Sequence, residues 1–328
     1  MVSAVAPPHP ELPPDYLVLG RAATENFPVA SRLLPANLRA DLMAVYGWAR
    51  LVDELGDNYA GDRLAALTEV ERQFRAAFDG PRDDQRGDVS VHPLVAQAAA
   101  TAHRRNLPAQ PFFDLIEANR QDQRVSSYET FSDLVGYCSL SANPVGRLVL
   151  GVFEASTPER VHWSDKICTA LQLVEHWQDV AEDAAVGRVY LPQEDLRRFG
   201  VEAEELLAPG AGQHLDRSAD RGGPKGAGAR PSQRSRALMA FEVARARRLL
   251  EEGTPLVASL EGRLRVAVAG FVAGGHAALD AIATAGFDVY AEWARPVPRR
   301  FAWHLARLAL SAYRRSGRPG GVPEGAAT

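Results

Sequence analysis

Proline is absent from four long stretches of this chain, residues 36–80, 112–143, 159–191 and 256–295. Proline interrupts helices because it removes a backbone donor and clashes with the preceding turn, so these stretches leave room for long helices. They are also rich in alanine, leucine, arginine and glutamate, which are good helix formers. Alternating runs of valine, isoleucine and threonine are missing apart from residues 188–191. The sequence therefore predicts an all-α fold.

The composition is that of a globular protein and narrows the choice of partners. Of 328 residues, 46% are hydrophobic and 24% are charged, and 37 Lys+Arg against 41 Asp+Glu give a formal net charge of -4. This near balance of charge argues against a protein that binds nucleic acid through a strongly basic surface. The two cysteines, Cys138 and Cys168, have neither metal-ligand nor disulfide-framework spacing, so we expect no zinc site and no disulfide.

The chain divides into one main unit and three weakly patterned segments. Residues 1–20 contain five prolines and are predicted to be an irregular N-terminal segment without a signal peptide. Residues 21–317 form the predicted helical domain, with a mobile glycine- and proline-rich insertion at about 208–232 and a flexible tail at 318–328. No long uninterrupted apolar run occurs, so we expect no membrane span and a cytoplasmic location.

One predicted helix, within residues 35–57, carries an apolar and a polar stripe side by side. Its apolar positions recur at steps of four and three, which is typical of a helix with one buried face; they are Leu38, Leu42, Val45, Ala49 and Val52. The polar stripe advances by four, three and four residues, so its side chains line up along one face; it consists of Tyr46, Arg50, Asp53 and Asp57.

A second predicted helix, within residues 163–192, repeats this arrangement. Its polar stripe has the same steps and consists of Gln172, His176, Asp179 and Asp183. Each Asp-x-x-x-Asp pair is followed by a turn signal, Asn58 in the first case and Gly187 in the second. If the two faces oppose one another, four carboxylates converge.

The paired aspartates can be explained either as part of solvated helix faces or as a metal-binding site. An acidic pair at i and i+4 arises by chance on solvated helix faces. Two matched pairs on apolar-rich helices, however, place like charges where they repel unless a cation compensates them. Carboxylate oxygens suit Mg²⁺ or Mn²⁺, and Mg²⁺ usually bridges to phosphate oxygens, so the pattern indicates a metal-bound diphosphate. Arg50 and Arg188 are candidate diphosphate ligands, although Arg50 is also a common i,i+3 partner for Asp53.

Four segments resemble the squalene/phytoene synthase family of head-to-head isoprenoid enzymes. They are residues 25–57, 128–146, 171–192 and 286–290, the last reading GFDVY. The joint spacing of the two aspartate helices with GRVYLP after the second is specific to the family. ENFPVAS at residues 25–31 and HWQDVAED at residues 176–183 are similar to the hydroxysqualene synthase branch, which serves bacterial hopanoid synthesis.

The resemblance implies an isoprenoid synthase fold, a single helical domain around a central cavity with the aspartate motifs at its mouth. It implies that Mg²⁺ is bound by Asp53, Asp57, Asp179 and Asp183. The implied diphosphate ligands are Ser31, Arg32, Arg50, Arg188 and Tyr190. The implied catalytic residues are Tyr46, Arg50, Tyr137 and Gln172.

The branch suggested by these motifs converts presqualene diphosphate and water to hydroxysqualene and diphosphate, whereas other members condense two prenyl diphosphates such as farnesyl diphosphate. Glu54 and Glu175 depart from the family, which usually has aspartate and asparagine there. The extra carboxylate at Glu175 favours the specialised second step over a condensation with two diphosphates. The glycine pairs Gly210/Gly212 and Gly226/Gly228 lack a preceding strand and a third glycine, so no NADPH site is expected.

Two alternatives stay open at this point. A non-catalytic helical assembly or binding protein would share the fold but would have no need of four aligned aspartates. The arginine-rich stretch 296–318 is explained either by a packed terminal helix or by peripheral contact with an anionic membrane; its arginines are Arg299, Arg300, Arg307, Arg314 and Arg315.

Overall fold

The computed structural model describes residues 10–19, 34–80, 91–207, 231–288, 290 and 300–308. Every regular secondary-structure element in these ranges is a helix. The helices are α1 Asp15–Leu19, α2 Ala36–Asp57, α3 Arg63–Asp79, α4 Pro93–Arg104, α5 Gln110–Asp122, α6 Phe131–Ser141, α7 Asn143–Val152, α8 Pro158–Gln178, α9 Val180–Ala185, α10 Gln193–Phe199, α11 Gln233–Gly253, α12 Pro255–Ser259 and α13 Gly262–Thr284. A 3-10 helix covers Ala203–Leu206, and a further helical segment covers residues 300–308. The predicted all-α class is confirmed.

The element bounds refine the prediction from proline spacing. Each of the four proline-free stretches contains two helices, because polar capping residues end and start helices as effectively as proline does. Asp62 caps α3 by accepting from the Ala65 amide at 2.9 Å, and Thr130 forms a reciprocal capping box with Asp133 at the start of α6. The N-terminal segment predicted to be irregular contains α1, which starts directly after Pro14 and buries Val18. The predicted insertion at 208–232 and the tail at 318–328 lie outside the described residues, except for Pro231 and Ser232.

Two apolar clusters hold the helices together. The first joins α2, α3 and α4 to one side of α5 and has Trp48 and Phe74 at its centre, with no exposed surface on either side chain. The second surrounds α8 and includes residues of α6, α11 and α13. Val149 and Phe153 pack against both clusters, so α7 joins them. Burial of this apolar surface is the main favourable contribution to folding.

The second aspartate helix is bent where a straight helix was predicted. α8 ends at Gln178 and α9 begins at Val180, with Asp179 between them at φ -104° and ψ 12°. The Asp183 amide still donates to the Asp179 carbonyl at 2.8 Å, so the two aspartates remain one turn apart. Aspartate favours helix ends because its side chain competes for backbone hydrogen bonds, and neither proline nor glycine marks this bend in the sequence.

Residues 188–194 lead from α9 into α10 and run beside residues 126–129, which precede α6. The Val189 amide donates to the Ser126 carbonyl at 2.8 Å, and the Gln193 amide donates to the Tyr128 carbonyl at 2.9 Å. Ser127 and Val189 form an isolated parallel β-bridge. Val189 belongs to residues 188–191, the stretch of the sequence with a strand-like pattern. Gly187, at φ 80°, makes the predicted turn before it.

The C-terminal part of the domain is anchored to α11. Arg236 donates to the Gly286 carbonyl at 2.6 Å and reaches Asp288 at 3.3 Å, and the Tyr290 hydroxyl donates to the Glu205 carbonyl. In the segment 300–308 the buried His304 lies 2.9 Å from Asp280, which favours the packed-helix interpretation of this stretch. Arg299, Arg314 and Arg315 lie outside the described residues.

Among the described helices, α13 alone is long and apolar enough to cross a bilayer, with a mean hydropathy of 1.6 over its most apolar window. More than half of that window is buried inside the bundle. The same length and composition are found in core helices of globular proteins. Cys138 and Cys168 are both free thiols in the structure.

Candidate active site

The first aspartate pair lies at the C-terminal end of α2, where α5 approaches it closely. Asn119 Nδ2 donates to Asp53 Oδ1 at 3.4 Å, and Gln123 Nε2 donates to the Gly56 carbonyl at 3.0 Å. A β-carbon on Gly56 would stand 1.9 Å from Asn119 Oδ1. The glycine between the two aspartates is therefore what allows α5 to come this near.

An arginine links the first pair to the second. Arg188 follows the turn after α9, and its Nη1 lies 3.6 Å from Asp57 Oδ1. Asp183 also experiences the charges of Arg188 and of Asp122 at the end of α5. Arg188 thus lies beside the end of the first motif and acts on the second, although the four carboxylates do not gather into one cluster within the described ranges.

Asp122 is a residue of this region that the sequence reasoning missed. Tyr137 Oη donates to Asp122 Oδ2 at 2.7 Å, and Tyr190 Oη donates to Oδ1 at 3.5 Å. The rings of Tyr137 and Tyr190 lie 5.9 Å apart, and the Tyr128 ring completes an aromatic cluster. The only sequence signal is a lone acidic residue at a helix end, which is too common to single out.

Gln172 and His176 lie one turn apart on α8 and extend the same group. Gln172 Nε2 is 3.3 Å from His176 Nε2. The buried His176 ring stacks on the Tyr190 ring with 3.7 Å between centroids and 14° between planes. Tyr137, Gln172 and Tyr190, which were predicted separately, are therefore brought together.

The carboxylates of the region are costly to ionise. Burial raises the pKa of Asp53 to about 6, a shift that Arg50 opposes and that Asp57 and Asp122 increase. Burial and the neighbouring Asp179 raise the pKa of Asp183 to about 7. Burial also raises the pKa of Asp122 to about 6 and, with the charge of Glu182, raises the pKa of Asp179. Several acids with raised pKa values in neighbouring elements are typical of functional sites, including sites that take up a cation.

The donor set fits a hydrated divalent cation such as Mg²⁺. Within the described ranges, no three His, Cys, Asp or Glu side chains are close enough to hold an ion by themselves. Mg²⁺ does not require such a cage, because it keeps water ligands and is commonly bound through one or two carboxylates and substrate phosphate oxygens. Asp53, Asp57, Asp179 and Asp183 are the residues that could hold an ion in this way.

The remaining predicted residues have less definite surroundings. Arg50 Nη1 lies 3.9 Å from Asp53 Oδ2, so the common i,i+3 ion pair is present. Tyr46 is half-buried one turn before Arg50 on α2. Ser31 and Arg32 lie outside the described residues.

An open cavity of about 510 Å³ lies away from all of these groups. It is lined by residues near the N-termini of α5 and α8, including Gln110 and Val161. The aspartates lie at the opposite ends of the same two helices, about 18 to 27 Å away along the helix axes at 1.5 Å per residue. This cavity is therefore not part of the candidate site.

Comparison with known proteins assigns the family. Residues 21–307 match the family model described as squalene/phytoene synthase. The chain belongs to the squalene/phytoene synthase family. It is similar to squalene synthase HpnC from Alicyclobacillus acidocaldarius, with 39% identity, a TM-score of 0.69, and coverage of 83% of this chain and 94% of that structure. The isoprenoid synthase fold implied by the sequence motifs is thereby confirmed.

Curated relatives include two different activities at the same level of identity. Hydroxysqualene synthase from Zymomonas mobilis is 36% identical over 188 residues, covering 56% of this chain and 59% of the relative. The 15-cis-phytoene synthase from Synechococcus elongatus is 36% identical over 200 residues, covering 56% of this chain and 61% of the relative. The aligned region spans about three-fifths of the length of these relatives. Family membership is shared by both, and identity alone does not choose between their reactions.

Proposed function

We propose that this protein converts presqualene diphosphate and water to hydroxysqualene and diphosphate, as a step of squalene and hopanoid synthesis. The observation that supports the proposal is the Arg188–Asp57 contact, because it joins the segment after the second aspartate motif to the end of the first. Carboxylates that can hold a metal, together with an arginine, suit the departure of a diphosphate group. Bound Mg²⁺ would supply Lewis-acid stabilisation of the departing diphosphate through Asp53, Asp57, Asp179 and Asp183.

The protein's own groups have distinct proposed roles around that leaving group. Arg188, with Arg50, Tyr190 and the predicted Ser31 and Arg32, binds diphosphate oxygens and neutralises their charge. Asp122 fixes the hydroxyls of Tyr137 and Tyr190 at 2.7 and 3.5 Å. An aromatic ring stabilises a nearby cation through its negative π-surface, and we assign this role to Tyr137. Tyr46, Tyr137 and Gln172 orient the reacting end of the substrate.

The overall reaction needs no electron donor. The bond between carbon and the diphosphate oxygen breaks, and both electrons leave with the diphosphate. A water oxygen forms the new carbon–oxygen bond after the cation has rearranged, and one water proton is released. NADPH is therefore not expected as a cofactor.

The alternative is head-to-head condensation of two prenyl diphosphates, giving presqualene diphosphate, squalene or phytoene. The phytoene synthase relative at 36% identity favours this candidate as strongly as the hydroxysqualene synthase relative favours the first. Glu175 supports the first, because it is an exposed carboxylate one turn before Asp179. An added negative charge there opposes the binding of a second diphosphate.

The test is incubation of the purified protein with Mg²⁺ and either presqualene diphosphate or farnesyl diphosphate, with and without NADPH, followed by mass spectrometry of extracted lipids. We expect hydroxysqualene from presqualene diphosphate without NADPH. Squalene formed only with NADPH, or a condensation product from farnesyl diphosphate, would replace the proposal by the alternative. Absence of any product from either substrate would favour a binding protein.

A further inference from the structure

His176 is a buried residue of the candidate site with no role assigned so far. Its Nε2 is taken up by the Gln172 side chain at 3.3 Å, so Nδ1 is the ring nitrogen left for another partner. Its ring stacks on Tyr190 at 3.7 Å and lies 6.1 Å from the Tyr137 ring. Three residues of the proposed reaction site thus fix the position of this imidazole.

A small cavity lies against the same imidazole. Its volume is about 10 Å³, which is the lower limit for one water molecule. It is lined by His176, Val180, Asp183, Val189, Tyr190, Leu191 and Leu206. A buried water needs two to four polar partners, and three of the lining residues, His176, Asp183 and Tyr190, carry polar side chains. Aliphatic residues form the rest of the lining, and the small volume suits one ordered water rather than a chain of waters.

We propose that His176 holds the single water molecule that captures the substrate cation. This inference rests on the proposed function, because only a reaction that ends in water capture needs such a site. The carbon–diphosphate bond breaks first, the water oxygen then bonds to the cationic carbon, and a proton passes from that oxygen to the released diphosphate. Atoms and charge balance without a further reactant.

The protonation state of the imidazole is compatible with this task. Burial lowers the pKa of His176 to about 3, so the ring is neutral at physiological pH. A neutral ring binds water without adding positive charge beside the cation. The proton leaves the new alcohol readily, because a protonated alcohol is a strong acid and the diphosphate oxygens are a sufficient base. No protein base is needed for this step, so the proposed role of His176 is to position the water.

The test uses the full-length protein with Mg²⁺ and presqualene diphosphate in ¹⁸O-labelled water, and measures both diphosphate release and the labelled fraction of the lipid product. His176→Phe preserves an aromatic ring against Tyr190 but binds no water. We expect diphosphate release to continue. The ratio of the alcohol, which forms by water capture, to hydrocarbon products, which form without it, should fall at least about tenfold, equivalent to about 1.4 kcal/mol. Leu206→Phe fills the cavity without altering His176 and should lower the same ratio.

His276→Phe is the matched control, because His276 is equally buried on α13 and belongs to no part of the site. It should leave the ratio unchanged. If folded His176→Phe and Leu206→Phe both retain the ratio of the unmodified protein, the water site is wrong, and Leu206→Phe decides alone if His176→Phe does not fold. If the unmodified protein itself forms no alcohol from presqualene diphosphate, the proposed function has failed instead.

Discussion

Arg188 Nη1 lies 3.6 Å from Asp57 Oδ1, and this contact joins the segment after the second aspartate pair to the end of the first. Arg188 also lowers the pKa values of Asp122 and Asp183 against the effect of their burial. One guanidinium therefore serves carboxylates from three helices. An arginine in this position can exchange its carboxylate partner for a diphosphate.

Arg188→Gln should impair the reaction much more than the fold. We expect diphosphate release to fall about 10²-fold, the usual loss when one charged donor is removed from a transition state. The melting temperature should change little, because a partly exposed ion pair contributes about 0–1 kcal/mol. Arg197→Gln, which removes the exposed ion pair with Glu129, is the control. Equal effects of the two variants on turnover would contradict this role.

Stabilisation by Mg²⁺ and inorganic diphosphate should depend on pH. Asp53 and Asp183 have pKa values of about 6 and about 7, above their ordinary value of 3.8. The folded state then binds protons more tightly than the unfolded state, so without ligand these groups make stability fall as pH rises from about 4 to about 7. Mg²⁺ needs the ionised forms. We therefore expect the shift in melting temperature caused by the ligands to be larger at pH 8 than at pH 5, and a larger shift at pH 5 would refute the assignment.

Asp122→Asn should lower turnover while preserving the shape of the side chain. Tyr137 and Tyr190 would lose their charged acceptor, and displacement of reacting groups of this kind costs about 10²-fold in rate. Because Asp122 acts through the tyrosines, the double variant with Tyr137→Phe should be little worse than either single variant. Asp114→Asn, two turns earlier on α5, is the control. Full additivity of the two changes would argue against a shared role.

Gly56→Ala should disturb both stability and activity. The added methyl group would meet Asn119 Oδ1 at 1.9 Å and push α5 away from the aspartates. Overpacking of this kind costs about 1–3 kcal/mol, which chemical denaturation can measure. Gly136→Ala in α6 meets nothing within 4 Å and should be neutral or stabilise by about 0.5–1 kcal/mol. A Gly56→Ala protein with unchanged stability would show that α2 and α5 can separate freely.

The sequence was sufficient for the helical class and for the two polar stripes, because both depend on local periodicity. The turn signals at Asn58 and Gly187 lie where α2 and α9 end, for the same reason. Asp122 could not be found in this way. Its importance arises from Tyr137 and Tyr190 meeting it across long sequence separations, and no local pattern encodes such a meeting.

The bend at Asp179 and the cavity beside His176 were also beyond the sequence. Helical periodicity continues through residue 179, so one continuous helix was the natural expectation. In the structure α8 ends at Gln178, and α9 packs against the 3-10 helix Ala203–Leu206. The space next to His176 depends on how Leu206 and Val189 pack around it. Cavities are properties of tertiary packing and have no sequence signature.

The most direct test of the account is a double-mutant cycle on diphosphate binding. The affinity of inorganic diphosphate in the presence of Mg²⁺ would be measured by titration calorimetry for the unmodified protein, Asp53→Asn, Asp179→Asn and the double variant. If both motifs bind one metal-bound diphosphate, the effects of the two substitutions on the binding free energy should be coupled by about 0.5–3 kcal/mol. Independent effects, or affinities equal to that of the unmodified protein, would show that the two aspartate pairs do not share a ligand.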